Sequence, residues 1–133
     1  MTSRRLAREQ ALQVLYSVTI GNREPRDAVR EVVGESADGE QRAFVEELAL
    51  GTLEYAEHAD RIVSPLLEGW AIDRLPTIDR LLLEMATYEL RCRPETPTAV
   101  AINEAVALAK RFSTEDSGRF VNGVLSAVAN AKT

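Results

Sequence analysis

No stretch of this 133-residue chain alternates apolar and polar side chains over five or more residues, while apolar residues recur every three or four positions almost from end to end. That spacing leaves little room for a sheet and predicts an all-α fold. The first helix is expected from about Arg4 to Thr19, with Thr2 or Ser3 as N-cap and Ala7, Ala11, Val14, Leu15 and Val18 on its core side. Gly21 and Asn22 stop it, and Pro25 suits the first turn of a short second helix over Arg26–Val33 that ends at Gly34. The turn-forming stretch GESADGE, from Gly34 to Glu40, reads as a loop. A third helix begins near Glu40 with Phe44 and Leu48 inward, and a further one is expected over HADRIVSPLLEGW, interrupted by Pro65.

Three more helices complete the chain. LPTIDRLLLEMATYELRCR offers Leu82, Met85, Ala86 and Leu90 to a core. TPTAVAINEAVALAKRF, with Thr96 as N-cap, has an apolar arc covering nearly half its wheel and is expected at the centre. GRFVNGVLSAVANA, capped by Thr114 or Ser117, has Val121, Val124, Leu125 and Val128 in one stripe. The expectation is a bundle of six to seven helices over residues 1–133, in two packed subdomains of about 1–58 and 59–133. Gly123 within the last helix costs roughly 1 kcal/mol relative to alanine, and the expected compensation is a neighbouring helix passing close, with Asn122 bonded into a loop.

Composition narrows the chemistry. A chain of this length buries roughly two-thirds of its unfolded surface and needs no metal or disulfide staple. Cys92 is the only cysteine, which fits a reducing, cytoplasmic compartment. No apolar run reaches the length of a membrane span, and Arg8 and Glu9 interrupt any signal-like start. Gly-rich phosphate loops and HExxH are absent, and His58 is the single histidine. The carboxylates of Glu115 and Asp116 suit the first turn of a helix rather than a cation site. Neither a catalytic constellation, a metal site nor a cofactor is expected.

Against a formal net charge of −5, the chain opens with Arg4, Arg5 and Arg8. Arg5, Glu9, Leu12 and Tyr16 follow helical spacing along one flank, bordered by Arg8 and Gln13. Guanidinium forks match phosphate geometry, an amide reads base edges, and an aromatic ring stacks on an unpaired base. The flank suits single-stranded RNA better than duplex DNA. Three arginines neutralise few phosphates, giving a salt slope of only about −2, so a second, basic partner is expected to complete the grip.

Three motifs, RRLAREQALQVLYS, DRLLLEMATYEL and VAINEAVALAKRFSTEDSGRFVNGVL, together resemble the NusB family of bacterial antitermination factors. The most specific part is INEAV.LAK.F followed by FVNGVL at this separation; residues 20–60 are the least similar. The resemblance implies an all-helical fold and binding of boxA-type RNA together with the ribosomal protein NusE, within an RNA polymerase antitermination complex that reads through terminators in ribosomal RNA operons. Carried onto matching positions, the RNA-contacting residues are Arg4, Arg5, Arg8, Gln13 and Tyr16, with Asp116, Arg119 and Phe120 of the EDSGRF turn as a second RNA-proximal surface. Asp79, Arg80, Tyr88 and Glu89 are the residues assigned to the protein partner, whose basic character suits an acidic body. Glu84 departs from the basic residue common at its position in relatives, which bears on the electrostatics of that partner surface. Exposed apolar flanks also leave room for a homodimer. Two other readings stand beside this one: a helical protein-interaction module, and a free-standing relative of the NusB-like domain attached to some ribosomal RNA methyltransferases.

Overall fold

A computed structural model describes residues 4–35 and 39–131. Six α-helices carry the described chain: α1 Arg4–Gly21, α2 Pro25–Val33, α3 Gly39–Val63, α4 Thr77–Cys92, α5 Thr98–Phe112 and α6 Glu115–Asn130. Single 3₁₀ turns lie at Ser64–Leu66 and Ile72–Arg74, and no strand occurs among the described residues. None of these helices is long and apolar enough to cross a membrane. The expected N-caps Thr2 and Ser3, and the centre of the GESADGE loop (Ser36, Ala37 and Asp38), lie outside the described residues. The chain divides into two compact units, Met1–Glu54 and Tyr55–Thr133.

In the first unit the apolar stripe of α1 is buried at Ala7, Ala11, Val14 and Leu15, and α1 packs on α2. The helix stops where Asn22 turns left-handed, at φ 55°, and the Arg23 N–H donates back to the Ser17 carbonyl at 3.3 Å. Pro25 occupies the first turn of α2, and the Glu24 side chain caps it by accepting from the Asp27 N–H at 2.9 Å. Gly34, at φ 81°, closes the helix by donating its N–H to the Arg30 carbonyl at 2.9 Å. Phe44, Val45, Leu48 and Ala49 supply the buried side of α3, and Gln41 of α3 donates to Gln10 of α1.

The break expected near His58 is absent: α3 continues to Val63. Glu57–Asp60 contains no residue that breaks a helix, and the interruption falls instead at Pro65, which lacks an N–H and disfavours helical geometry just before it.

In the second unit α4, α5 and α6 pack pairwise. α5 packs on both α4 and α6, and the most enclosed helix is α4: from Leu81 to Thr87 every residue is buried, along with Asp79 and Glu89. On α5, Ala101, Ile102, Ala105, Leu108 and Ala109 face inward, while Phe112 is exposed beneath the Arg111 guanidinium, 5.0 Å from its ring centre. Thr114 caps α6 by accepting from the Ser117 N–H at 3.0 Å, and Val121, Val124, Leu125 and Val128 form its buried stripe. Arg91 closes the other end of α6, donating to the carbonyls of Val128 and Ala131 at 3.2 and 2.8 Å.

The tight approach expected at Gly123 is found elsewhere. A Cβ on Gly123 would meet nothing within 4 Å, whereas one on Gly118 would lie 2.7 Å from Lys110 Cγ. Gly118 sits on the side of α6 turned to α5, and Asn122 and Gly123 are exposed.

Candidate nucleic-acid interface

On α1, Arg4, Arg5, Gln13 and Tyr16 are exposed, with Tyr16 keeping 43% of its surface. Arg8 is not on this face. Only 5% of it is exposed, because it precedes Ala11 by three residues and Leu15 by seven and so shares their side of the helix. Its stem is buried and its guanidinium lies 5.4 Å from the centre of the Phe44 ring. Arg4, one turn earlier, lies over the same ring at 4.0 Å. Weakly hydrated guanidinium groups stack well on aromatic faces, so Phe44 of α3 holds two of the three N-terminal arginines in place. Leu12 is also buried, which leaves Arg4, Arg5, Gln13 and Tyr16 as the accessible ribbon.

In the second unit the start of α6 presents Asp116 and Arg119, both exposed and joined in an ion pair one turn apart. Phe120 is half-buried. It shares two neighbouring cavities with Trp70, a residue the periodicity argument passed over, which keeps 59% of its surface. Trp70 lies between the two 3₁₀ turns, in a segment punctuated by Pro65, Gly69 and Pro76. An aromatic residue in such an irregular segment belongs to no helical stripe, and that was the signal available in the sequence. The first cavity, about 230 Å³, is also lined by Pro76, Asp79, Asp116 and Ser117. The second, about 450 Å³, adds Glu68, Arg119 and Gly123.

The residues assigned to a protein partner face largely inward. Asp79 is 4% exposed and its Oδ2 accepts from the Ser117 hydroxyl at 3.0 Å. Glu89 is 2% exposed and accepts from Thr96 at 3.3 Å. Tyr88 is half-buried with its ring edge-on to Tyr55 at 5.9 Å. Arg80 donates to Asp60 at 2.9 Å and to Glu84 at 3.2 Å. Helical spacing put these four on a helix but could not show that the helix is enclosed. Glu84 is buried as well, so its carboxyl lies in the interior and not on the outer partner surface the resemblance suggested. Burial, a hydrogen bond with Asp60 and the charge of Asp60 push its carboxyl up to about 8, against the opposing pull of Arg80.

His58 is exposed with its ring 5.0 Å from that of Tyr55, and Cys92 is exposed at the end of α4. Among the described residues no cluster of His, Cys, Asp and Glu has the makings of a metal site.

Comparison with known proteins places this arrangement among relatives. The family model described as the NusB family matches residues 5–130. Transcription antitermination protein NusB of Geobacillus kaustophilus is 41% identical over 125 residues, covering 94% of each chain. The protein of the same name from Desulfitobacterium hafniense is 43% identical over 132 residues, covering 97% of this chain and 89% of its own. Among solved structures, NusB of T. maritima superposes with a TM-score of 0.91 at 33% identity, over 98% of this chain and 92% of its own. A chain from the crystal structure of the antitermination factors NusB and NusE in complex with dsRNA superposes with a TM-score of 0.88 at 30% identity, over 97% of each chain.

Proposed function

This chain belongs to the NusB family, and from that premise we propose that it is a transcription antitermination factor that binds boxA-type RNA together with NusE. The observation that carries the reading is the exposed ribbon of Arg4, Arg5, Gln13 and Tyr16 on a chain whose formal net charge is −5. A local cationic strip on an acidic body attracts phosphate at one place and repels it elsewhere. The acidic body in turn attracts a basic protein, and the solved complex of NusB with NusE and dsRNA contains a relative of this chain together with both ligands. The work is binding, not catalysis. We further propose that the assembly acts on RNA polymerase in the cytoplasm, promoting read-through in ribosomal RNA operons. Asp116, Arg119 and Phe120 are the second RNA-proximal surface, and of the four α4 residues assigned to the protein partner the half-buried Arg80 and Tyr88 are the more accessible.

The test is titration of labelled boxA-type RNA, single-stranded and duplex, with and without NusE at two salt concentrations. With only Arg4 and Arg5 exposed among the α1 arginines, the salt slope of α1 alone on a single strand is about −1. Binding is therefore expected to be weak alone and much tighter, with a steeper slope, when NusE is added. Equal affinity for a scrambled strand refutes boxA recognition. A homodimer is the competing use of the α1 face, since Leu6, Tyr16 and Ile20 are exposed apolar side chains on it. In that case RNA displaces the dimer, and sedimentation shows monomer rising as RNA is added.

A further inference from the structure

We infer that the cavity between Trp70, Pro76 and Phe120 is a pocket for one unpaired nucleobase, read through Asp79. The inference rests on the RNA-binding reading above and adds to its α6 surface a base pocket built with Trp70 and Asp79. Three observations converge on a flat apolar ligand with an N–H edge.

The walls are aromatic and apolar: the exposed Trp70, the half-buried Phe120, Leu75 and Pro76. Base–aromatic stacking is the usual way an unpaired base is held, and it works for any base. The volume, about 230 Å³, suits a single flat ring system rather than a larger organic ligand.

Among the polar residues lining this cavity, which include Thr114, Asp116 and Ser117, Asp79 is a buried acceptor with spare capacity. Asp79 is buried to within 4% of its surface, yet its Oδ1 has no hydrogen-bond partner, the Ser117 hydroxyl being committed to Oδ2. An orphaned carboxylate oxygen is costly unless a donor arrives. A nucleobase edge with an N–H supplies one, and guanine, with adjacent N1–H and N2–H₂ groups, supplies two. A phosphate is excluded from the same cavity, because Asp79 and Asp116 both line it and no Lys or Arg does.

The cation stands next door. Trp70 and Phe120 also wall the second cavity, where Arg119 is the basic residue and Gly123 leaves open space where a Cβ would project. A nucleotide lying across the two therefore places its base against Asp79 and its phosphate toward Arg119. The bare backbone of Gly123 then has a use that helix packing does not give it.

Trp70 is the only tryptophan of the chain, so its emission reports occupancy directly. The full-length protein is titrated with labelled boxA-type single-stranded RNA, following label anisotropy and tryptophan emission together, with W70F as the blank. Each guanine is then replaced in turn by inosine, which lacks the N2 amine. The expected result is quenching that tracks binding, one guanine whose replacement weakens binding several-fold, and a loss of roughly tenfold in W70A, whose exposed side chain contributes little to the core. In D79N the guanine–inosine difference disappears. If D79N does not fold, the inosine series on the native protein and W70A decide the matter. An anisotropy change with unaltered emission, together with W70A within twofold of the native affinity, overturns the pocket and leaves the RNA reading intact. No anisotropy change, even with NusE present, overturns the RNA reading itself.

Discussion

Replacing Glu84 by Gln is expected to make the protein less sensitive to alkali. Glu84 is buried in α4 beside Asp60, and both carboxyl groups share the Arg80 guanidinium. Asp60 Oδ1 is buried without a donor among the described residues, and a protonated Glu84 provides one. Burial first, and Asp60 second, raise the Glu84 pKa from the usual 4.5 to about 8. The folded protein thus holds a proton that the unfolded chain releases above about pH 4.5. Between these two values the native state binds more protons, so stability falls as pH rises. The contribution is complete below the unfolded pKa and gone above the folded one. At about 1.4 kcal/mol per tenfold change in proton affinity, the full window is worth about 5 kcal/mol, and about 3 to 4 kcal/mol of it is lost between pH 5 and 8. Glutamine keeps a donor for Asp60 and an acceptor for Arg80 and does not titrate. Urea melts of the native protein and E84Q at intervals from about pH 5 to pH 8.5 measure the difference. The two are expected to be close in stability near pH 5, with E84Q the more stable by several kcal/mol at the alkaline end. A difference that stays constant across this range refutes the argument, because it shows that Glu84 titrates alike in the folded and unfolded chains.

Other substitutions separate binding from folding. R5A is expected to weaken RNA binding several-fold with the melting temperature nearly unchanged, by anisotropy and thermal melts. R8A, by contrast, is expected to cost about 1–2 kcal/mol of stability, because a buried stem and a desolvated contact with Phe44 are lost; an unchanged melt contradicts that placement. D116N removes a carboxylate that repels phosphate and releases Arg119 from its ion pair, so RNA affinity is expected to rise modestly, and weaker binding counts against an RNA-proximal α6 start. G123A is expected to stabilise α6 by up to about 1 kcal/mol, since the added methyl meets open space, while narrowing the cavity beside Arg119 and weakening RNA binding; destabilisation in urea melts contradicts the open site.

Most helices were legible because they carry their own punctuation, whereas α5 has Pro97 and not the expected Thr96 at its N-cap. Asn22, Pro25, Gly34, Pro65 and Thr114 all act where their backbone chemistry says they should. The periodic apolar stripes were legible for the same reason, as seen at Ala7, Ala11 and Leu15 on α1 and at Val121, Val124, Leu125 and Val128 on α6. What the pattern could not show is how far enclosure extends beyond a stripe. α5 has the wider apolar arc, yet α4 is buried along a longer run, because enclosure is set by what packs on a helix and one helix's sequence does not encode its neighbours.

The polar residues found buried share that cause. Arg8, Asp79, Glu84 and Glu89 are polar, and polarity alone assigns them to a surface; each is buried because a specific partner waits there: Phe44, Ser117, Arg80 and Thr96 respectively. Such partners lie 36, 38, 4 and 7 positions away, and only the pair four apart falls within the reach of a helical wheel. Trp70 is the converse case, a large apolar ring left outside because its segment makes no helix to turn it inward. Counting charges along α1 therefore overstates the cationic surface by the buried Arg8. The smaller count sharpens the functional argument, since fewer accessible guanidinium groups on an acidic chain make a basic companion more necessary for holding a transcript.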